Sequence, residues 1–153
     1  MDKRCFLWYN LLNGGDTVNV LIIDGQGGRL GKYLCERISE KYPDVSLAAV
    51  GTNSAATTAM IKGGAKKAAT GENSVAVLSK SADVIIGPVG MLIADSLLGE
   101  ITPKIALTVA RSNAVKIMIP SDRCGNIVAG VKNITLAEMA DDAIERLGEI
   151  IRR

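Results

Sequence analysis

The residues best suited to chemistry are the glycines that follow an apolar run near position 20. Residues 20–23 are apolar, Asp24 ends the run, and residues 25–31 read Gly-Gln-Gly-Gly-Arg-Leu-Gly before an amphipathic stretch begins. A strand, a glycine-rich turn and a helix in this order bring backbone N–H groups to the first helical turn, where they stabilise a phosphate. The pattern therefore predicts a nucleotide or dinucleotide ligand.

Each glycine of this segment, the glycine loop, has an expected role. Gly25 would permit a tight turn after the strand, and Gly27 and Gly28 would let the backbone approach a pyrophosphate. Gly31 would let the helix lie close to the sheet. The alternative is a connector that only packs a helix against a strand. The candidate cofactor-binding residues here are Gly25, Gln26, Gly27, Gly28, Arg29 and Leu30.

The same loop resembles the cofactor loop of dihydrodipicolinate reductases, which reads nearly the same with Met in place of Leu30. The resemblance covers this one loop. It implies that a cofactor is held at this position.

Composition excludes several classes of function. The 153-residue chain is 48% hydrophobic, and its net charge of +2 comes from scattered charges, so we expect no nucleic-acid or membrane partner. It has no histidine, which excludes histidine catalysis and histidine metal sites, and we predict no metal. Three cysteines without paired spacing favour a reducing, cytoplasmic setting.

The first 17 residues differ from the rest in composition. They hold Phe6, Trp8 and Tyr9, whereas only two further aromatic residues follow. We interpret residues 1–17 as a non-native or disordered leader, with the natural protein beginning at Val18, and residues 18–153 as one nucleotide-binding domain. The alternative is a genuine arm that docks on a partner through Phe6 and Trp8.

Apolar runs alternate with helical patterns along the body of the chain. Continuous apolar runs are typical of parallel strands that are buried on both faces. The order predicts an α/β, Rossmann-like three-layer sandwich with a mainly parallel sheet. The predicted strands are 18–23, 45–50, 66–70, 83–86, 115–119 and 127–131, and the predicted helices are 30–41, 54–62, 73–80, 90–98, 103–112 and 135–152.

Ligands of such folds bind beyond the carboxyl ends of the strands. After the second strand come Gly51, Thr52 and Asn53, where NAD enzymes usually place an acidic residue on the ribose. Since no acid is present there, Thr52 and Asn53 would hold a 2′-phosphate, with Lys66 or Lys67 supplying charge. NADP is therefore slightly preferred over NAD. Alternatively, Asn53 simply caps the next helix.

The loop after the fourth strand offers a second contact. Gly87 and Pro88 would let a ligand lie against the backbone, the alternative being an ordinary turn. Glu72 would serve as a general acid or base only if it were buried near the ligand; otherwise it supports a helix start at Asn73. No catalytic residue can be assigned.

The body of the chain also resembles a family of small bacterial proteins catalogued only as a domain of unknown function. The resemblance runs from Val20 to Val131 and is carried by residues 23–28, 51–53, 69–73, 86–88 and 98–103. It brings no established activity and therefore no catalytic residue.

Two classes of function remain open, beside a third possibility in which the glycine loop binds another phosphorylated metabolite. One is an NAD(P)-dependent oxidoreductase that uses the three loops. The other is a nucleotide-sensing or structural interaction module without catalytic activity. In the second case residues 91–93, Leu97 and Leu98 would form the interface of a homo-oligomer, with burial inside the monomer as the alternative.

Overall fold

The computed structural model describes residues 17–120 and 126–152. The expectation for residues 1–17 lies outside this part of the chain except at Thr17. Within it, five strands form one parallel sheet in the order β3-β2-β1-β4-β5. The strands are β1 (Asn19–Asp24), β2 (Ser46–Gly51), β3 (Lys67–Thr70), β4 (Val84–Pro88) and β5 (Val115–Ile119).

In the described part of the chain, five α-helices cover the two faces of the sheet. Helices α1, α2 and α5 contribute to the hydrophobic core on one face, where Leu34, Met60 and Ile144 are buried. Helices α3 and α4 cover the other face, with Val75 and Ile105 buried against it. The helices are α1 (Arg29–Lys41), α2 (Ser54–Lys62), α3 (Glu72–Leu78), α4 (Pro103–Arg111) and α5 (Leu136–Ile151).

Strand β1 is central because it supplies core residues to both faces. Its side chains alternate, so that Val20 and Ile22 lie in one core and Leu21 and Ile23 in the other. This accounts for the continuous apolar run that predicted a doubly covered strand. The three layers and the parallel sheet confirm the predicted α/β, Rossmann-like fold.

The predicted helix at 90–98 is wrong. Only Val89–Leu92 is helical, as a 3-10 turn, and Leu97 and Leu98 have φ values of 54° and 58°. Positive φ is incompatible with a right-handed helix. The N–H of Asp95 instead donates to the carbonyl of Ile101 at 2.7 Å, which folds the segment back on itself. Met91 and Ile101 are thereby buried against the sheet.

The predicted strand at 127–131 is also wrong. These residues form no strand, and a turn lies at Ala129 and Gly130, where φ is 85° at the glycine. Ile127 is 95% exposed. An isolated run of apolar residues predicts a strand only if a sheet edge pairs with it, and local sequence carries no information about that edge.

Strand order reverses between β1 and β4, which are neighbours although two strands lie between them in the chain. All five strands point the same way, so the loops after β1, β4 and β5 meet at one edge. The crevice at such a reversal is where open α/β sheets bind ligands.

Candidate functional site

The glycine loop is closed by the residue before it. Asp24 ends β1 and is only 6% exposed. Its two carboxylate oxygens accept hydrogen bonds from the N–H groups of Gly25 at 2.8 Å and Gly31 at 2.6 Å. The carboxylate therefore clamps the first and last residues of the loop and fixes the direction in which α1 begins.

The clamp has an electrostatic cost. Burial raises the pKa of the Asp24 carboxyl, the two N–H donors lower it in part, and the nearby Glu100 charge raises it further. The pKa is raised overall. Asp24 thus sits in a poorly hydrated position at the base of the loop, where hydrogen bonds from the backbone compensate its charge.

Three backbone N–H groups at the start of α1 are left without an acceptor. Among the described residues, no oxygen accepts from the N–H of Gly27, Arg29 or Leu30. The N–H of Gly28, by contrast, donates to the carbonyl of Gly25 at 2.9 Å. Unpaired N–H groups and the positive end of the helix dipole create a position that favours an anion.

The adjacent glycines Gly27 and Gly28 have different constraints. A Cβ atom on Gly27 would meet nothing within 4 Å, whereas one on Gly28 would lie 2.6 Å from the Cα of Ala56 in α2. Gly28 also has a φ of 66°. Hence Gly28 is required by packing and backbone conformation, and its expected role towards a pyrophosphate remains a prediction. Only Gly27 leaves open space beside the backbone.

Gly31 has its expected packing role. A Cβ there would lie 2.9 Å from the Cβ of Asp24 and about as close to the side chain of Met60 in α2. The absent side chain lets α1 pack against both β1 and α2. This is the close approach of helix and sheet that the third glycine was expected to permit.

A cavity of about 540 Å³ opens beside the glycine loop. We call it the switch-point cavity because Asp24 to Leu30, Pro88 and Pro120 bring the ends of β1, β4 and β5 to its wall. Small-molecule sites commonly enclose about 300–1,000 Å³. Arg29 and Lys132 also line it. The apolar residues that line it include Ile127, Val128, Val131, Ile134, Leu136 and Met139.

The predicted residues at the end of β2 lie outside this cavity. Asn53 is the N-cap of α2, with its side-chain oxygen accepting from the N–H of Ala56 at 2.9 Å, so the capping alternative is confirmed. Gly51 is packed against Thr57, whose side chain a Cβ would overlap. Thr52 donates from its hydroxyl to Glu100 at 2.5 Å. These residues build the neighbouring loop.

Glu100 lies beside the glycine loop and is a residue that the sequence analysis did not identify. It precedes α4, yet its Oε2 atom accepts from the N–H of Gln26 at 2.8 Å and from the side chain of Asn53 at 3.0 Å, in addition to Thr52. Burial alone would raise the pKa of the Glu100 carboxyl, but these three hydrogen bonds outweigh it and hold the pKa below its usual value. One carboxylate thus joins the loops after β1 and β2.

The lysines expected to bind a 2′-phosphate lie at the amino-terminal ends of the strands, whereas the candidate site lies at their carboxyl ends. Lys67 begins β3 opposite Ala48, and its Nζ donates to the hydroxyl of Ser46 at 3.2 Å. Ser46 is the first residue of β2, whereas Thr52 follows its last residue. Lys66 precedes Lys67 directly, so neither lysine supplies charge at Thr52 and Asn53.

The loop after β4 contributes one predicted residue to the cavity. Pro88 lines the cavity. A Cβ on Gly87 would lie 2.5 Å from the carbonyl oxygen of Ile23, so this glycine is required by the close packing of β4 against β1. Gly87 therefore positions Pro88 at the cavity wall.

Glu72 supports structure rather than the cavity. It is the first residue of α3, accepts from the Thr102 hydroxyl at 2.5 Å and forms an ion pair with Lys104 at 3.0 Å. These contacts lower the pKa of its carboxyl, the Thr102 hydrogen bond most strongly. Glu72 thus links the starts of α3 and α4, as the structural alternative expected.

The apolar segment expected at a subunit interface is largely buried inside the monomer. Met91 is fully buried and Leu97 is 7% exposed, both against the sheet. Leu98 alone differs, because it is 99% exposed at the tip of the turn. Burial, the alternative considered above, accounts for Met91 and Leu97. The homo-oligomer remains a prediction.

The described residues contain neither a cluster suited to a metal ion nor a helix that could span a membrane. No group of three or more histidine, cysteine, aspartate or glutamate residues in the described ranges could hold a metal ion. None of the helices described is long and apolar enough to cross a membrane. The cytoplasmic location and the bacterial origin remain predictions.

The sheet order, the two covered faces and the crevice between β1 and β4 define an α/β protein of the Rossmann-like class. The chain belongs to the family described as Domain of unknown function (DUF3842), whose model matches residues 19–152. This confirms the resemblance to such a family.

The chain also resembles solved structures. The crystal structure of an NADPH-dependent quinone oxidoreductase from Escherichia coli, complexed with NADPH, matches with a TM-score of 0.46 and 18% sequence identity. The match covers 85% of this chain and 45% of the oxidoreductase, so this chain spans less than half of that protein. Among curated proteins, none shows significant similarity to this sequence.

Proposed function

We propose that this protein binds a nucleotide or dinucleotide in the switch-point cavity, with NAD(P) as the first candidate. The observation that carries the proposal is the set of N–H groups of Gly27, Arg29 and Leu30, which have no acceptor among the described residues and belong to residues of the cavity wall. A phosphate placed there would accept hydrogen bonds from the backbone and gain from the helix dipole.

The rest of the cavity supports the same ligand class. Arg29 and Lys132 bring positive charge to the wall, which suits a phosphate or pyrophosphate. The apolar lining residues, among them Val131 and Met139, would cover a flat base or a nicotinamide ring. Charged and apolar residues in one cavity thus suit both the phosphate and the base of a nucleotide.

The open space at Gly27 allows a direct test of the binding mode. Thermal unfolding would be followed with NAD, NADP, FMN, ATP and coenzyme A in turn. Because a ligand present at 100 times its Kd stabilises the folded state by about 2.7 kcal/mol, we expect at least one nucleotide to raise the melting temperature clearly. Gly27→Asp would place a like charge beside the phosphate and abolish that rise.

A matched control distinguishes a charge added inside the cavity from the same charge added elsewhere on the protein. Asn73→Asp adds the same charge at an exposed position near the start of α3, outside the cavity wall, and should leave the rise unchanged. Gly28→Asp is unsuitable because it would disturb the packing against Ala56. The proposal fails if none of the five compounds stabilises the wild type, or if Gly27→Asp responds as the wild type does.

Two functions are compatible with nucleotide binding, and a second measurement distinguishes them. An NAD(P)-dependent oxidoreductase would oxidise the reduced cofactor in the presence of a carbonyl substrate. A nucleotide-sensing module would instead change its oligomeric state on binding, without turnover. Absorbance at the nicotinamide band and size-exclusion chromatography, run with the nucleotide selected above, distinguish the two.

A further inference from the structure

We propose that Glu100 selects a nucleotide whose ribose carries free 2′ and 3′ hydroxyl groups, and thereby rejects a 2′-phosphate. This inference rests on the proposed function, since it names the kind of nucleotide bound there. Glu100 does not line the switch-point cavity itself, but it accepts a hydrogen bond from the N–H of Gln26, which does. It concerns a residue on the connection between β4 and α4, far from the glycine loop in sequence.

The first step of the argument is the position of the carboxylate. Glu100 bonds to Gln26 in the loop after β1 and to Thr52 and Asn53 after β2. In open α/β sheets that bind dinucleotides, the ribose of the adenosine half lies near the end of the second strand, where a carboxylate accepts from its hydroxyls. Here the end of β2 has no acidic residue, and Glu100 brings a carboxylate to that place from another loop.

The second step is that the carboxylate is fixed and has a free acceptor. All three donors converge on Oε2, while Oε1 accepts from no group in the described part of the chain. The residue is half-buried, and the proposal assigns the ribose hydroxyls to Oε1. A carboxylate held by three donors loses little freedom when a ribose diol binds, which favours affinity.

The third step concerns the charges that a 2′-phosphate on the ribose would meet. The usual solution for a 2′-phosphate is a basic residue beside the ribose. Of the basic residues suggested by the sequence, Lys67 is the first residue of β3 and Lys66 precedes it, so both lie at the amino-terminal ends of the strands, away from the end of β2. A 2′-phosphate would therefore meet the Glu100 carboxylate without a compensating cation from these lysines, and like charges in contact are strongly unfavourable. This reverses the preference for NADP that the sequence suggested.

The test compares NAD with NADP on the full-length protein by isothermal titration calorimetry. We expect the wild type to bind NAD at least about tenfold more tightly than NADP. Glu100→Gln keeps the shape and removes the charge, so the ratio of the two dissociation constants should fall to about threefold or less. Glu145→Gln, at an exposed position on α5, removes one charge away from the loops and should keep the wild-type ratio.

Binding of NAD and NADP to the wild type is enough to refute the inference, so the test does not depend on a variant that could fold poorly. Equal binding of the two nucleotides, or tighter binding of NADP, would refute the role of Glu100 while the proposed function stands. Tighter binding of both nucleotides by Glu100→Gln, with an unchanged ratio, would show that the carboxylate only occupies the site. Failure of both NAD and NADP to bind would refute this inference, whereas the proposed function fails only if none of the five compounds tested above stabilises the protein.

Discussion

The carboxylate of Asp24 accepts a hydrogen bond from the N–H of Gly31 at 2.6 Å, across seven positions of the chain. With the second bond, from the N–H of Gly25, it closes the turn between β1 and α1. The donors are buried, and a buried N–H group without an acceptor costs about 1–3 kcal/mol. The start of α1, where we propose that a phosphate binds, therefore depends on one side chain.

Replacing Asp24 should destabilise the protein markedly. Asp24→Ala removes the acceptors of both N–H groups, so we expect the free energy of unfolding to fall by about 2 kcal/mol or more. Urea denaturation followed by circular dichroism measures it. Asp44→Ala, at an exposed turn position, serves as the control and should change stability by less than about 0.5 kcal/mol. Equal effects of the two substitutions would contradict the clamp.

The buried cysteine should make stability depend on alkaline pH. Cys35 is free and fully buried in α1, and burial, with a smaller contribution from Asp24, raises the pKa of its thiol from 9.0 to about 12. A raised folded-state pKa means that folding favours the protonated thiol. Its stabilisation is fully present below pH 9 and is lost as the pH rises towards 12.

The measurement compares wild type with Cys35→Ala, in which this titration is absent. The difference in unfolding free energy between the two proteins should change by up to about 1.4 kcal/mol for each pH unit across that window. All other ionisable groups are common to the two proteins, so their contributions cancel in the difference. Parallel stability curves for the two proteins would show that the thiol does not contribute.

The capping box of α5 should stabilise the wall of the cavity. The hydroxyl of Thr135 accepts from the N–H of Glu138 at 3.2 Å, and the Glu138 carboxylate accepts from the N–H of Thr135 at 2.7 Å. Thr135→Ala should cost about 1 kcal/mol of stability. Thr58→Ala, at an exposed position inside α2, should be neutral, and a similar loss in both variants would refute the prediction.

Local signals in the sequence explain which elements could be predicted. Helix α2 was predicted at its observed bounds, Ser54–Lys62, because Asn53 caps its start and Gly63 follows its end. In the same way, the proline at the start of α4 and the capping box of α5 indicate where these two helices begin. Each of these signals acts between residues at most a few positions apart.

The features that could not be predicted depend on contacts between distant residues. Glu100 meets Gln26 across 74 positions and Thr52 across 48, and no short motif encodes such a meeting. The apolar residues of 90–98 suggested a helix because their spacing is helical, but burial of Met91 and Ile101 against the sheet imposed a different path. Packing over long distances overrode the local pattern.

The contrast between Gly27 and Gly28 has a consequence for reading related sequences. A natural variant with a bulky residue at position 28 would have to reshape the junction of α1 and α2, because that position faces Ala56. A variant with a side chain at position 27 could keep the whole architecture and still fill the space next to the N–H groups. A side chain at position 27 is therefore the first substitution that we would look for in a homologue that lacks the proposed ligand.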